Sequence, residues 1–411
     1  MIKIHGKLFV DAILVGSLGM FSVWLLQPFN PWFFLLYIGP TAVGFCMLYG
    51  RQDRIDPLLF APAVLLCGVG LTMVARLAPG LLWRQLVAYL VGLCSYLLLS
   101  IWGGRIRWER FGYLWGLLGA LLLLGTSLFG VRVGGSRAWI RFLGFSFQPI
   151  ELFKLLLILF LVASLTEEST SIVLRERRGL FAHMSLWGPS LLLWLLGVLA
   201  LGIQRDLGGM ILLSGIFWGT IYVAEGRLAT VLIGLLLGLG GFTLSYCLFP
   251  HVQSRLGNWL DLWRGDQVYH QLQQGLFAAA SGGFTGTGLG LGHPYLIPQV
   301  HTDFPLMAIW EELGLLGAVG ILGLYMLMVV YLFKKAINSY CLRHRLLCAG
   351  VAVMIGLQVL LIAGGNLGLV PLTGITLPFI SYGGSSVIVL WSALGLTGAI
   401  PRLRRQCRLE V

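Results

Sequence analysis

The sequence predicts an all-α integral membrane protein, a polytopic bundle of about twelve spanning helices, and three observations predict it. Of 411 residues, 58% are hydrophobic and 11% charged, against about 45–50% and 25% in an ordinary soluble domain. Apolar stretches of the length a bilayer requires, about 20 residues, recur along the whole chain and leave no room for a separate soluble domain. Between them lie short clusters of Lys, Arg, Gly and Pro, whose basic residues alternate from one side to the other.

In chain order the expected spans are 8–27, 32–50, 58–75, 86–102, 113–130 and 147–165, then 186–203, 207–224, 228–249, 305–333, 346–363 and 383–400. The basic start, Met1 to Lys7, resembles a signal peptide, but its apolar run reaches Gln27 with no A-x-A-like site after it, so an uncleaved first span is expected. The connection 250–304 stands apart, because loops longer than about 12–15 residues are uncommon and usually functional. Within it, 271–280 alternates Leu, Phe and Ala with Gln at helical spacing, which predicts a short interfacial helix.

Charge distribution tests the count, since a wrong number of spans would scramble the basic loops. With the N-terminus inside, the inner segments carry Lys3, Lys7, Arg51, Arg54, Arg105, Arg107, Arg110, Arg175, Arg177, Arg178, Arg227, Lys334, Lys335, Arg343, Arg345, Arg402, Arg404, Arg405 and Arg408. The outer ones carry only Arg76, Arg84, Arg132, Arg137, Arg141, Arg205, Arg255 and Arg264, and Lys154 falls within a span. That bias of 19 to 8 supports twelve spans with both termini cytoplasmic. The net charge of +12 is scattered among these loops and forms no continuous basic face, which argues against nucleic acid. Seven cysteines, at 46, 67, 94, 247, 341, 348 and 407, form no C-x-x-C pair and read as small packing residues.

An ionisable residue inside a membrane is costly and marks function by default. Glu151 and Lys154 open the sixth span three residues apart, on one helix face, and either pair with each other or present Lys154 to an anionic ligand. Just before them VRVGGSRAWIR places Arg132, Arg137 and Arg141 on the side where basic residues are disfavoured. Arginine binds phosphate through bidentate, charge-assisted hydrogen bonds, so a pyrophosphate at the outer surface suits them, with ordinary lipid headgroups as the plainer alternative. In QRDLGG, Asp206 either is solvated beside Arg205 or holds one of the loop arginines.

The long loop ends in PQVHTDF, with His301 and Asp303, and Glu311 and Glu312 lie about two turns into the next span. An acid at the membrane surface stays reachable by water while apolar neighbours raise its pKa, which suits a general base; on spacing alone a helix-capping role, as N-cap or its neighbour, is the stronger reading. The alternating Gly286, Gly288, Gly290 and Gly292 follow no strand and make no dinucleotide site, and His251, His270, His293 and His301 lack metal-ligand spacing.

GGSRAWI with FQPIELFK, QRDLGG, YHQLQQGLFAAASGGFTGTGLG, IPQVHTDF with EELGLLG, and NLGLVPLTGITLPFISYGGSS come in the order of the SEDS family, RodA, FtsW and SpoVE, which the chain resembles over roughly residues 56–400. The resemblance implies a family core of ten spans, residues 56–411, with a large extracellular loop, 250–304, preceded by two additional helices in 1–55. It implies a peptidoglycan glycosyltransferase of the bacterial cytoplasmic membrane, serving elongation or division, that polymerises lipid II on the outer face and works with a class B penicillin-binding protein. Asp303 matches the family's essential acid, and Arg137, Glu151 and Lys154 match its basic and acidic motif positions. The chain departs from the family in carrying Ile150 where a hydroxyl is usual and Arg205 where proline is usual.

The implied reaction is an inverting displacement of undecaprenyl pyrophosphate by a sugar 4-hydroxyl. It needs a base, for which Asp303 is expected, and positive charge, for which Arg137, then Arg141 and Lys154, are expected, with Glu151, Asp206, His301, Glu311 and Glu312 in support. A divalent cation, Mg2+ or Mn2+, could share the neutralisation, although no ligand cluster announces one. Two other classes compete: a lipid II flippase, and a non-catalytic scaffold for a penicillin-binding protein, against which the intact HTDF argues.

Overall fold

The computed structural model describes residues 2–26, 32–49, 56–104, 108–133, 136–142, 145–170, 180–264 and 270–399. Of the expected inner-loop cations, Arg51, Arg54, Arg105, Arg107, Arg175, Arg177, Arg178, Arg402, Arg404, Arg405 and Arg408 lie outside the described residues, as do the side chains of Lys3 and Lys7.

Among the described residues the helices are α1 (Ile2–Leu26), α2 (Trp32–Tyr49), α3 (Pro57–Leu77), α4 (Leu82–Trp102), α5 (Gly112–Phe129), α6 (Pro149–Thr170) and α7 (Leu180–Gln204). They continue as α8 (Leu207–Glu225), α9 (Leu228–Leu248), α10 (Pro250–Arg264), α11 (His270–Gly282), α12 (Pro305–Ile337), α13 (Leu342–Asn366) and α14 (Gly384–Gly398). Nine of these, α3 to α9, α12 and α13, are long and apolar enough to cross a membrane, and shorter apolar helices occupy α1, α2 and α14. All twelve expected span positions therefore carry an apolar helix.

Three local expectations need correction. The outside loop ahead of the sixth span is not irregular: among the described residues it holds a small antiparallel sheet of β1 (Val131–Val133), β2 (Ser136–Phe142) and β3 (Phe145–Phe147). Trp139, Ile140 and Phe142 are residue types that favour strands, a signal that the neighbouring apolar spans overshadowed. The long connection holds two helices, not one: α11 covers the expected 271–280, and α10 precedes it with Leu, Trp and Val at helical spacing among polar residues. Cys341 is disulfide-bonded and so is more than a packing residue, whereas Cys46, Cys67, Cys94, Cys247 and Cys348 are free.

The chain forms two compact units, and α12 and α13 contribute to both. The first comprises residues 1–101, 253–331 and 358–398, so α1 and α2 are part of a larger unit and not a separate domain. α1 crosses α3 where two glycines meet: a Cβ on Gly68 would lie 2.9 Å from the Gly16 Cα, an approach only small residues permit. Tyr37 of α2 donates to the Val64 carbonyl at 3.1 Å. The core gathers around Trp391, fully buried, with Tyr89, Tyr96, Phe60 and Phe379 within 5.4–6.2 Å between ring centroids. Gly92 makes room for that ring, since a Cβ there would lie 2.7 Å from it.

The second unit comprises residues 102–252 and 332–357 with the C-terminal segment. Its centre is α6, buried over 89% of its spanning window, whereas α9 is buried over 6%. The glycines of α5 explain the packing: Gly112, Gly116 and Gly119 share a face and receive Ala163, Phe160 and Phe153 of α6. Gly197 of α7 receives Phe153 from its other side. Small residues on α5 and α7 thus let α6 seat bulky ones, where dispersion contacts replace the hydrophobic drive that a bilayer does not supply.

Candidate functional site

The first unit carries Asp303, His301, Glu311 and Glu312. Asp303 sits in a tight turn directly ahead of α12, where Pro305 takes the first helical position, the one place a missing N–H costs nothing. The turn closes because Gln299 adopts a left-handed φ of 53° and its carbonyl accepts the N–H of Thr302 at 3.1 Å and of Asp303 at 3.0 Å. Phe304, fully buried, pins the turn from behind, its ring filling the space beside Gly275 of α11.

The loop ahead of α14 reaches the same turn: the Tyr382 N–H donates to the His301 carbonyl at 2.8 Å and the Ser381 hydroxyl to the Thr302 carbonyl at 2.6 Å. Burial pushes the Asp303 carboxyl above the ordinary carboxylate range, and the Thr302 hydroxyl and the Arg255 charge pull it partly back. Burial pushes the His301 imidazole below its ordinary value, and its ring lies 6.0 Å from that of Tyr382.

Glu311 and Glu312 are committed elsewhere. α12 breaks at Gly314, with φ 70° and ψ −177°, and the glycine-rich loop fills the break. Thr287 and Gly288 donate their N–H groups to the Glu311 and Glu312 carbonyls, and Leu315 and Leu316 donate theirs to Gly283 and Phe284. Backbone exposed by a broken spanning helix must find partners within the protein, and this loop supplies them. Gly286 at φ 86° could not be another residue, because a Cβ would lie 2.3 Å from the Glu312 carbonyl oxygen. The side chains extend the support: Glu312 accepts from Arg76 at 3.3 Å, Arg76 also donates to the Gly290 and Gly292 carbonyls at 3.1 Å, and Glu311 accepts the His293 N–H at 2.8 Å. The expected support from these acids is for the loop's shape. It also gives the alternating glycines a purpose that sequence did not disclose.

The second unit carries Arg137, Arg141, Glu151, Lys154 and Asp206. Side chains alternate along a strand, so Arg137, Trp139 and Arg141 share one face of β2, and both arginines are exposed while Ala138 on the other face is buried. The strand is fixed at its start by the Ser136 hydroxyl, which donates to the Gln204 carbonyl at 2.7 Å; the Gln204 amide donates to the Leu123 carbonyl at 3.0 Å. β3 runs into α6 through Gln148, whose carbonyl accepts the Glu151 N–H at 3.1 Å. Lys154 and Glu151 then form an ion pair of 2.9 Å, both buried.

Asp206 caps α8, accepting the Gly209 N–H at 2.8 Å, which gives it a role in the helix start. Arg205 beside it has φ 62°, a conformation closed to the proline that the family resemblance makes usual there.

Sequence reasoning passed over Ser381, Tyr382 and Gln85, which hold the Asp303 turn, and counted Arg255 only as an outside cation. Arg255 lies on α10 and donates to the Leu372 and Thr373 carbonyls at 3.1 and 3.2 Å. Its signal was present: an Arg in the middle of an amphipathic helix inside a suspicious loop, with Arg264 at that helix's end. With its charge opposing the burial of Asp303, Arg255→Gln is expected to raise the Asp303 pKa further. A base works only when deprotonated, so the acid limb of the pH–rate profile moves to higher pH, and Arg255→Lys moves it less. An unmoved limb in the Gln variant would remove Arg255 from the site's electrostatics.

The family described as "Cell cycle protein", FtsW/RodA/SpoVE, matches residues 64–406, so α1 and α2 precede the matched region. The "Peptidoglycan glycosyltransferase RodA" of Mycobacterium leprae is 35% identical over 379 residues, covering 85% of this chain and 78% of that protein. The "Probable peptidoglycan glycosyltransferase FtsW" of Nitrosococcus halophilus is 32% identical over 372 residues, covering 84% and 92%. Among solved structures, a chain from "a peptidoglycan synthase complex" superposes with a TM-score of 0.69 at 31% identity, covering 86% of this chain and 99% of that one. The crystal structure of the Thermus thermophilus rod shape determining protein RodA superposes with a TM-score of 0.61 at 29% identity, covering 85% and 97%. Matches that run through the catalytic candidates of both units, in sequence and in fold, make the chain a member of the SEDS family, the multi-pass membrane peptidoglycan glycosyltransferases FtsW, RodA and SpoVE.

Proposed function

We propose that this peptidoglycan glycosyltransferase polymerises lipid II at the outer face of the bacterial cytoplasmic membrane, with both termini cytoplasmic and Asp303 as general base. The observation that carries the reading is the Asp303 turn: an acid directly ahead of a spanning helix, with burial raising its pKa towards the range where a carboxylate accepts a proton efficiently.

The 4-hydroxyl of one disaccharide unit loses its proton to Asp303 as its oxygen attacks the anomeric carbon of the unit held on undecaprenyl pyrophosphate. The C–O bond to pyrophosphate breaks as the new glycosidic bond forms, with inversion. Negative charge grows on the leaving group, and Arg137 with Arg141 on the exposed face of β2, and Lys154 behind them in sequence, supply the positive charge that this needs. Among the described residues no three His, Cys, Asp or Glu side chains converge to hold a metal; a divalent cation sharing the neutralisation, Mg2+ or Mn2+, would come to the site with the pyrophosphate. A class B penicillin-binding protein is the expected partner, in keeping with the synthase complex to which the superposing chain belongs.

Purified full-length protein, with its partner synthase, is expected to convert lipid II into glycan chains that gel electrophoresis resolves. Transfer of labelled lipid II across liposome membranes without polymer would instead favour a flippase.

A further inference from the structure

We propose that Ser381 and Gln85 are positioning residues: they strap the backbone of residues 301–303 to the turn ahead of α14 and so set the Asp303 carboxylate for proton transfer. The inference rests on the reading of Asp303 as the base.

The strap is a continuous chain of hydrogen bonds within the first unit. The Ser381 hydroxyl donates to the Thr302 carbonyl at 2.6 Å and accepts the Leu377 N–H at 2.8 Å, so one side chain closes its own turn and grips the residue next to the base. Tyr382 adds its N–H to the His301 carbonyl at 2.8 Å. Gln85 of α4 holds the same turn from the other side, its amide donating to the Ser381 carbonyl and its amide oxygen accepting the Gly383 N–H, both at 3.2 Å. Ser381 and Gln85 are each 2% exposed, so water does not compete for these bonds.

The turn itself is held in an unfavourable form. Phe379 is buried at φ 65°, a left-handed conformation that a bulky residue keeps only where its surroundings enforce it. Its surroundings do: the Phe379 ring packs 5.7 Å from Trp391, and its carbonyl lies where a Cβ on Gly70 of α3 would be, 2.6 Å away. α3, α4 and α14 thus fix the turn, and the turn fixes Asp303. Neither Ser381 nor Gln85 is catalytic, because each acts on Asp303 only through backbone.

The test is steady-state polymerisation of lipid II by full-length protein with its partner, alongside thermal unfolding in the same detergent. Ser381→Ala is expected to lower kcat on the order of 10²-fold, the penalty of a misplaced reacting group, with KM for lipid II within about twofold. Ser381→Thr, which keeps the hydroxyl, is expected to regain at least about tenfold of that loss. Gln85→Leu, which touches none of residues 301–303, is expected to lower kcat about tenfold. The double variant should be no worse than Ser381→Ala by more than about threefold, since both changes cut one strap.

A near wild-type kcat in both single variants overturns the proposal, as does a kcat loss that only tracks the fraction of unfolded protein, or one that appears as a rise in KM. Should Ser381→Ala not fold, Gln85→Leu decides by the same criteria. An Asp303→Asn variant run in parallel separates the two readings: inactive Asn beside fully active strap variants overturns the strap alone, whereas an active Asn variant overturns the base.

Discussion

Asp303→Asn is expected to lower lipid II polymerisation by about two to four orders of magnitude, the usual contribution of a positioned general base. The substitution keeps the shape of the side chain and removes its basicity, and the backbone bonds that build the turn, from Gln299, Ser381 and Tyr382, do not involve the carboxylate. Folding should not suffer. Burial raises the folded-state pKa of Asp303, so the protonated carboxyl is the form that the fold prefers. Its stability contribution is therefore greatest below the unfolded-state pKa and declines as pH rises through the interval up to the folded-state value. At pH 7 a permanently neutral Asn avoids that decline, and the thermal midpoint should equal or slightly exceed that of the parent. Wild-type polymerisation by a folded Asn variant would remove Asp303 as the base. Loss of the folded state along with activity would mean that the carboxylate is structural.

The same site shows which parts of the molecule could be read in one dimension. Spans were legible because each depends on a local run of apolar residues, and the alternation of basic clusters between them supported their number. The turn that presents Asp303 was legible only in part: HTDF ahead of Pro305 marks a helix start, but the bonds from Ser381 and Tyr382 join positions about 80 residues apart, and no spacing rule reports on that. Gln85 lies farther still, in a span where a lone glutamine reads as a tolerated polar residue. The glycine loop was misjudged for a related reason. Gly286, Gly288 and Gly290 take positive φ to fill a break in α12 that follows them in sequence, so their purpose lies in an element not yet reached. The arginine strand was masked by its surroundings, since apolar helices on either side suggested a loop where aromatic and β-branched residues build a sheet.

Lys154→Met is expected to destabilise the folded protein by about 3–5 kcal/mol, because it leaves the Glu151 carboxylate buried without its cation. The thermal midpoint should fall and activity with it, so the single variant alone does not separate a packing role from a part in catalysis. A double variant does. Glu151→Gln with Lys154→Met removes both charges from the buried pair, and exchanging such a pair for neutral residues of similar size is often tolerated, so most of the lost stability should return. If Lys154 also neutralises the departing pyrophosphate, polymerisation by this restabilised protein stays at least about tenfold below the parent, since the lost charge acts mainly in the transition state. Recovery of activity together with stability would confine Lys154 and Glu151 to holding α6, and would leave Arg137 and Arg141, exposed on one face of β2, as the cations of the leaving group.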